Sequence, residues 1–270
     1  MTVRVSPGSR RDQVVGALFE SGAQGVQEVG ATLVTHVRGQ DVANALVCAL
    51  LAASPDVAVD TEPLAPVDWS EQWKQSIHVQ RLGQLTVAPP WLAEGLDPAT
   101  TIIIEPGMGF GTGEHATTRG SIRLLQQVVR EGDRVADVGA GSGVLAIAAA
   151  KLGASGVAAI ELDRDAIGNA EENVARNGVV GRVTVIEGDA MMLLPLVAPV
   201  RLVTANIISS VLIELLPVLA EALTSDGRAI LSGILESERE VMELALIESG
   251  WRVEAEDCED GWWSATIGRR

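Results

Sequence analysis

The chain has 270 residues, 47% hydrophobic and 21% charged, enough for one large domain or a medium domain plus a small one, and not the composition of a disordered chain. Its 36 Asp+Glu against 20 Lys+Arg give a net charge of −16, the wrong sign for gripping nucleic acid directly and the right one for attracting a basic partner, although acidity also serves solubility. The apolar stretch 42–53 is broken by Asn44 and too short to span a bilayer, the start lacks a signal-peptide core, and Cys48 and Cys258 form no C-x-x-C pair, so a reduced cytoplasm is the expected setting.

Residues 1–63 read as a small α+β unit. Segment 2–5 alternates like a strand, and Val14, Val15, Leu18 and Phe19 fall at helical spacing within 10–20. Strands at 25–29 and 32–37 meet at a turn around Gly30, followed by a helix over 42–51 and a strand over 57–61. That order, β-α-β-β-α-β, is the ferredoxin-like arrangement. The unit has no Gly-rich loop, and His36 stands alone on a strand, so docking or recognition is the expected role. From 64 to 100 a connecting region is expected, punctuated by Pro66, Pro89, Pro90 and Pro98. Trp69 and Trp73, four apart, would share a helix face, and Trp91 follows; packing on the next domain is favoured over a wall for substrate.

From 101 to 270 strands and helices alternate. Strands read at 101–104, 134–138, 157–162, 183–187, 201–205 and 228–232, with helices at 117–129, 143–152, 164–177, 209–223 and 237–248. This implies a parallel sheet covered on both faces. Residues 252–256 and 262–267 close it as an antiparallel hairpin. The pattern is similar to the seven-stranded, Rossmann-like α/β sheet of class I methyltransferases.

The strongest local signal is Asp137-Val138-Gly139-Ala140-Gly141-Ser142-Gly143, between a strand and a helix. Its glycines permit a sharp turn and a close ligand, and the helix N-terminus behind it suits a carboxylate or phosphate. Glu161 ends the next strand, 22 residues past Gly139, where a carboxylate accepts from ribose hydroxyls. Val144 stands where the nicotinamide fingerprint places its third glycine, and Asp137 stands two residues before the first glycine; both resemble the methyltransferase loop, so S-adenosyl-L-methionine is favoured over a nicotinamide cofactor. Asp189 after the next strand is balanced between receiving an adenine amino group and capping a helix. Asn206 ends the strand after that, at the sheet end where ligands sit; an amine-orienting role is favoured there over a helix cap.

The segment Glu105-Pro106-Gly107-Met108-Gly109-Phe110-Gly111-Thr112-Gly113-Glu114-His115-Ala116-Thr117-Thr118 resembles the signature of the PrmA family, the methyltransferases of large-subunit ribosomal protein eleven. The resemblance runs from about Asp68 to the C-terminus, through 69–74, 85–91, the glycine loop, Asn206-Ile207-Ile208 and 231–235. It implies that Thr118, Gly139, Gly141, Glu161 and Asn206 contact S-adenosyl-L-methionine, that Phe110 and the loop from Gly111 to Gly113 cover it, and that Asn206 is the catalytic residue. It further implies methylation of lysine side chains or an N-terminal amine of that ribosomal protein, a basic substrate, by a monomer. The family usually has aspartate at 161, cysteine at 140 and leucine at 208; the replacements here remove no needed functional group. Neither a metal cluster nor a Ser–His–Asp set is evident, and His115 is expected to tie its loop down rather than relay a proton. Methylation of another protein or a small molecule, and nicotinamide-dependent oxidoreduction, remain the alternatives.

Overall fold

Val14 and Leu18 lie one turn apart on α1 (Arg11–Glu20), as do Leu46 and Leu50 on α2 (Gln40–Ala53), and both pairs are buried. They pack on Val3 and Val5 of β1 (Thr2–Ser6) and Leu33 of β3 (Thr32–His36). With β2 (Gln27–Val29) and β4 (Ala58–Glu62) these strands form an antiparallel sheet in the order β2-β3-β1-β4. The element order is the β-α-β-β-α-β read from the sequence. His36 is exposed, its Nδ1 3.3 Å from Thr2 Oγ1. The computed structural model describes all residues except Ser9, Gly22, Gln24, Pro55, 64–76 and Met108, so Trp69, Trp73 and their expected helix lie outside the described residues. The chain divides into two units, Met1–Lys74 and Gln75–Arg270.

The second unit begins with a small sheet of its own. β5 (Gln80–Leu82) and β6 (Leu85–Ala88) form a hairpin, and β7 (Thr101–Ile103) pairs in parallel with β6. This corrects two expectations. Residues from Gln75 to 100 are part of the second unit rather than a connection, and 101–103 is no strand of the main sheet. The reason is that β7 already has partners. β6 flanks it, and the Asn177 side chain takes both backbone groups of Ile103, at 2.8 and 2.7 Å.

The main sheet runs β10-β9-β8-β11-β12-β14-β13. Its strands are β8 (Arg134–Val138), β9 (Gly156–Glu161), β10 (Val183–Glu187), β11 (Val200–Asn206), β12 (Leu223–Leu235), β13 (Trp251–Glu259) and β14 (Trp262–Arg269). The first five are parallel, and β14 runs antiparallel to both its neighbours. One face is covered by α3 (Ala116–Val128), α4 (Val144–Lys151) and α5 (Arg164–Arg176), the other by α6 (Ala190–Val197), α7 (Ser209–Ala222) and α8 (Arg239–Glu248). Each fully buried Leu or Ile in these layers contributes about 1.5–3 kcal/mol. The carboxyl ends of β8 to β12 therefore lie along one rim, with a loop after each.

Candidate active site

The turn after β8 is where the backbone departs furthest from ordinary conformations. Gly139, Gly141 and Gly143 have φ of 69°, 53° and 81°, a region that side chains with a Cβ resist. Space is equally short. A Cβ on Gly139 would lie 2.4 Å from Ile207 Cγ2, and one on Gly141 2.4 Å from the Phe110 carbonyl oxygen. Ser142 N donates to that same oxygen at 2.9 Å, and Ser142 Oγ donates to the Gly111 carbonyl at 2.8 Å. The loop bearing Phe110 and Gly111 is thus moulded onto the glycine turn. Gly111 has its own positive φ of 109°.

Glu161, at the end of β9, braces this turn. Its Oε2 accepts from Gly141 N at 2.7 Å and its Oε1 from Asp163 N at 2.8 Å. Each carboxylate oxygen keeps a further lone pair for a ligand hydroxyl. Glu161, Gly139, Leu162, Asp189, Met191 and Ile207 line a cavity of about 210 Å³, mostly apolar and open at the strand ends. Asp189 is the N-cap of α6, its Oδ1 accepting from Met191 N at 2.8 Å. It therefore caps a helix and borders the cavity at once.

Asn206 ends β11 half-buried, beside the cavity residue Ile207. The cap position of α7 is Ile208, and no side chain hydrogen-bonds there, so Asn206 is not spent on capping. Thr118 is fully buried on α3, and its Oγ1 has no hydrogen-bond partner. A buried hydroxyl without a partner is costly unless a ligand or water satisfies it. His115 caps α3, its Nδ1 2.8 Å from Thr117 Oγ1 and accepting from Thr117 N at 3.4 Å. Burial holds its pKa below the usual imidazole value, with the Arg119 cation acting in the same direction and Asp260 against it. The ring ties the loop down.

Two further residues gain a role only from the structure. Asp137 is fully buried behind the turn, its Oδ1 accepting from Thr204 Oγ1 at 2.6 Å and its Oδ2 from Ala146 N at 3.0 Å. Desolvation pushes its pKa up to about 6 against these hydrogen bonds, and the charge on Glu161 adds to the rise. Asn173 of α5 is also fully buried. Its Oδ1 accepts from Glu105 N at 2.8 Å and its Nδ2 donates to the Ser142 carbonyl at 3.1 Å, which clips the two site loops together. The aspartate was legible as part of the loop motif, but its buried hydrogen bonds to Thr204 and Ala146 were not. The asparagine had no signal beyond its place in a polar helix.

The PrmA family model, described as ribosomal protein L11 methyltransferase, matches residues 9–270. The chain belongs to this family. A ribosomal protein L11 methyltransferase from Pelotomaculum thermopropionicum is 41% identical over 83% of the chain and 73% of that protein. One from Exiguobacterium sibiricum is 42% identical over 75% and 64% respectively. One from Thermus thermophilus is 35% identical over 96% and 95%. Among solved structures, a ribosomal protein L11 methylase from Lactobacillus delbrueckii subsp. bulgaricus covers 72% of the chain and is itself covered completely, with a TM-score of 0.65 and 32% identity. The family and its class I methyltransferase fold agree with the resemblance carried by 105–118, the glycine turn and Asn206.

Proposed function

We propose that this methyltransferase uses S-adenosyl-L-methionine to methylate lysine or N-terminal amines of the ribosomal protein its relatives are named for, large-subunit protein L11. The observation that carries the reading is the apolar cavity bounded by Gly139, Glu161, Asp189 and Ile207, with Asn206 free of helix-capping duty beside it. The residues present fit the cofactor. Glu161 has lone pairs for two ribose hydroxyls, Leu162 and Met191 flank a slot for a flat base, and Asp189 Oδ2 is a ready acceptor for its amino group. The buried Thr118 Oγ1 lacks a partner without a ligand.

When bound, the cofactor supplies an electrophilic methyl group on sulfur. The chain supplies alignment. An in-line displacement needs donor and acceptor held close, and the amine must arrive neutral. A free lysine with pKa near 10.4 is only about 0.1% neutral near pH 7.4. The Asn206 side-chain carbonyl accepts a hydrogen bond from the amine and aims its lone pair. The apolar residues around the site disfavour the charged form. The first unit acts as the docking module for the protein substrate. The net charge of −16 supports a basic protein partner over direct contact with nucleic acid. No helix among the described residues is long and apolar enough to cross a membrane. A ribosomal protein as substrate puts the enzyme in the cytoplasm, and we read it as a monomer.

The test is mass spectrometry of the ribosomal protein after incubation with enzyme and S-adenosyl-L-methionine, beside calorimetric titration with that cofactor and with NAD. Added methyl mass on lysine or the N-terminus supports the reading. Cofactor binding without methyl transfer to the protein removes the substrate assignment, and binding of NAD alone removes the enzyme class.

A further inference from the structure

Two walls of the site meet on one guanidinium. Arg119, in α3, has only 14% of its side chain exposed. Its Nη1 donates to the Glu114 carbonyl oxygen, at the end of the Phe110 loop. Its Nε donates to Glu259 Oε1 at 2.9 Å, and its Nη2 lies 3.0 Å from Asp260 Oδ2. These acceptors belong to three pieces of chain: the loop, the end of β13, and the turn into β14. Arg123, one turn along α3, takes the other oxygen of Glu259 at 2.6 Å and both oxygens of Asp257, which keeps Glu259 from swinging away. A planar fork of five donors spans three acceptors at set angles, which an ammonium on a flexible stem does not.

What the fork holds apart is a row of rings. The Phe110 and His115 centroids are 5.3 Å apart and those of His115 and Trp262 4.8 Å, both edge-on. His115 directly follows Glu114, and Trp262 stands two residues after Asp260. Each anchor of Arg119 is therefore one to three residues from a ring. The row starts at the glycine turn, where Phe110 O accepts from Ser142 N. It ends on β14, where Trp262 pairs with Leu235 at the end of β12, the neighbour of the strand ending in Asn206. Phe110 is 56% exposed. Ring faces receive the methylenes and head of an amine side chain.

We propose that Arg119 is a positioning residue for the acceptor: it sets the spacing of the Phe110–His115–Trp262 row, and with it the approach of the amine to be methylated. The proposal rests on the reading of the protein as an amine methyltransferase. None of the anchors of Arg119 lines the cofactor cavity, and the part of the loop that meets the glycine turn is held by Ser142 and Asn173 without Arg119, so acceptor alignment and cofactor affinity separate experimentally.

The full-length chain is compared with Arg119→Gln, Arg119→Lys and Asp260→Asn. Measured are S-adenosyl-L-methionine affinity by calorimetry, kcat and KM with the ribosomal protein, and the His115–Trp262 ring contact and His115 titration by NMR. The charged groups acting on His115 are Arg119, which lowers its pKa, and Asp260, which raises it. Expected in Arg119→Gln is a cofactor affinity within about twofold of the parent, a kcat lower by roughly ten- to a hundredfold, a loosened ring contact and an upward move of the His115 titration. Arg119→Lys should keep the titration but not recover kcat, because charge without the fork does not hold three acceptors. Parental kcat in Arg119→Gln, or a loss of kcat that only follows a loss of cofactor affinity, overturns the proposal. Should Arg119→Gln fail to fold, Asp260→Asn removes the charge from one exposed leg and weakens it, and is read in its place: parental kcat with a loosened ring contact, or a lowered kcat with an unchanged one, overturns the proposal. If the parent binds cofactor but methylates no ribosomal protein, the proposed function has failed on its own. The NMR arm still decides here, since an unchanged ring contact in Arg119→Gln removes the positioning role.

Discussion

Glu161 shows how one side chain braces a loop and still keeps lone pairs for a ligand. Its two oxygens already accept from Gly141 N and Asp163 N, so Glu161→Gln turns an N–H toward an N–H at one of these bonds. S-adenosyl-L-methionine affinity should fall about ten- to a hundredfold, corresponding to roughly 1.5–3 kcal/mol for a hydrogen bond to a charged group. Calorimetry on the folded variant checks this, and unchanged affinity would take Glu161 out of the site. Asn206→Ala should behave differently, since Asn206 caps nothing. kcat should drop at least about tenfold while the thermal midpoint moves by no more than about 2 °C, because only alignment is lost. Equal losses of stability and rate would make it a structural residue. Asp137 carries a pH signature. Its folded pKa of about 6 exceeds the ordinary 3.8, so the folded state binds more protons between those values and stability falls as pH rises from about 4 to 6. Relative to Asp137→Asn, which does not titrate, the parent should gain stability on acidification, by up to roughly 3 kcal/mol for a rise of this size. Denaturant melts of both chains at pH 4.5 and 7.5 measure it; a pH-independent difference contradicts the buried, ionised carboxylate. The places of Gly139, Glu161 and Asn206 at the ends of β8, β9 and β11 were legible because motif spacing and strand ends locate them. Asp189 was legible only as an even choice, since a cavity acceptor and a helix cap look alike in sequence, and the structure gives it both places.

At the scale of elements, the site depends on two loops that hold each other, and Asn173 is the clip between them. Asn173→Ala leaves Glu105 N and the Ser142 carbonyl without their buried partner, at a cost of about 1–3 kcal/mol each. A lower thermal midpoint together with weaker cofactor binding is expected from melts and titrations on the same preparation; loss of stability with full affinity would mean that the glycine turn keeps its shape alone. A sequence gives little warning of such a residue, because an asparagine on an amphipathic helix reads as solvent-facing. The small sheet of β5, β6 and β7 escaped for a different reason. β7 was read as a strand, but its partners β5 and β6 have only three and four residues, too few to show a period, and the prolines nearby suggest a connection. The long alternation from β8 onward was readable because each strand and helix there is long enough to repeat its pattern.

For the whole molecule, the division at Lys74 and Gln75 makes a testable separation. A chain starting at Gln75 keeps both large hydrophobic layers and every residue of the cofactor cavity. It should bind S-adenosyl-L-methionine with the parental constant and lose most methyl transfer to the intact ribosomal protein, because tethering no longer raises the local concentration of the target amine. Paired titration and methyl-incorporation assays decide it, and full-rate methylation by the shortened chain would take the docking role away from the first unit. The same division bears on inheritance. Every described residue that lines the cavity lies in the second unit. With docking in the first unit, as proposed, a lineage acquires a new client by rewriting that segment while the second stays as it is, and two descendants with the same glycine turn serve different proteins.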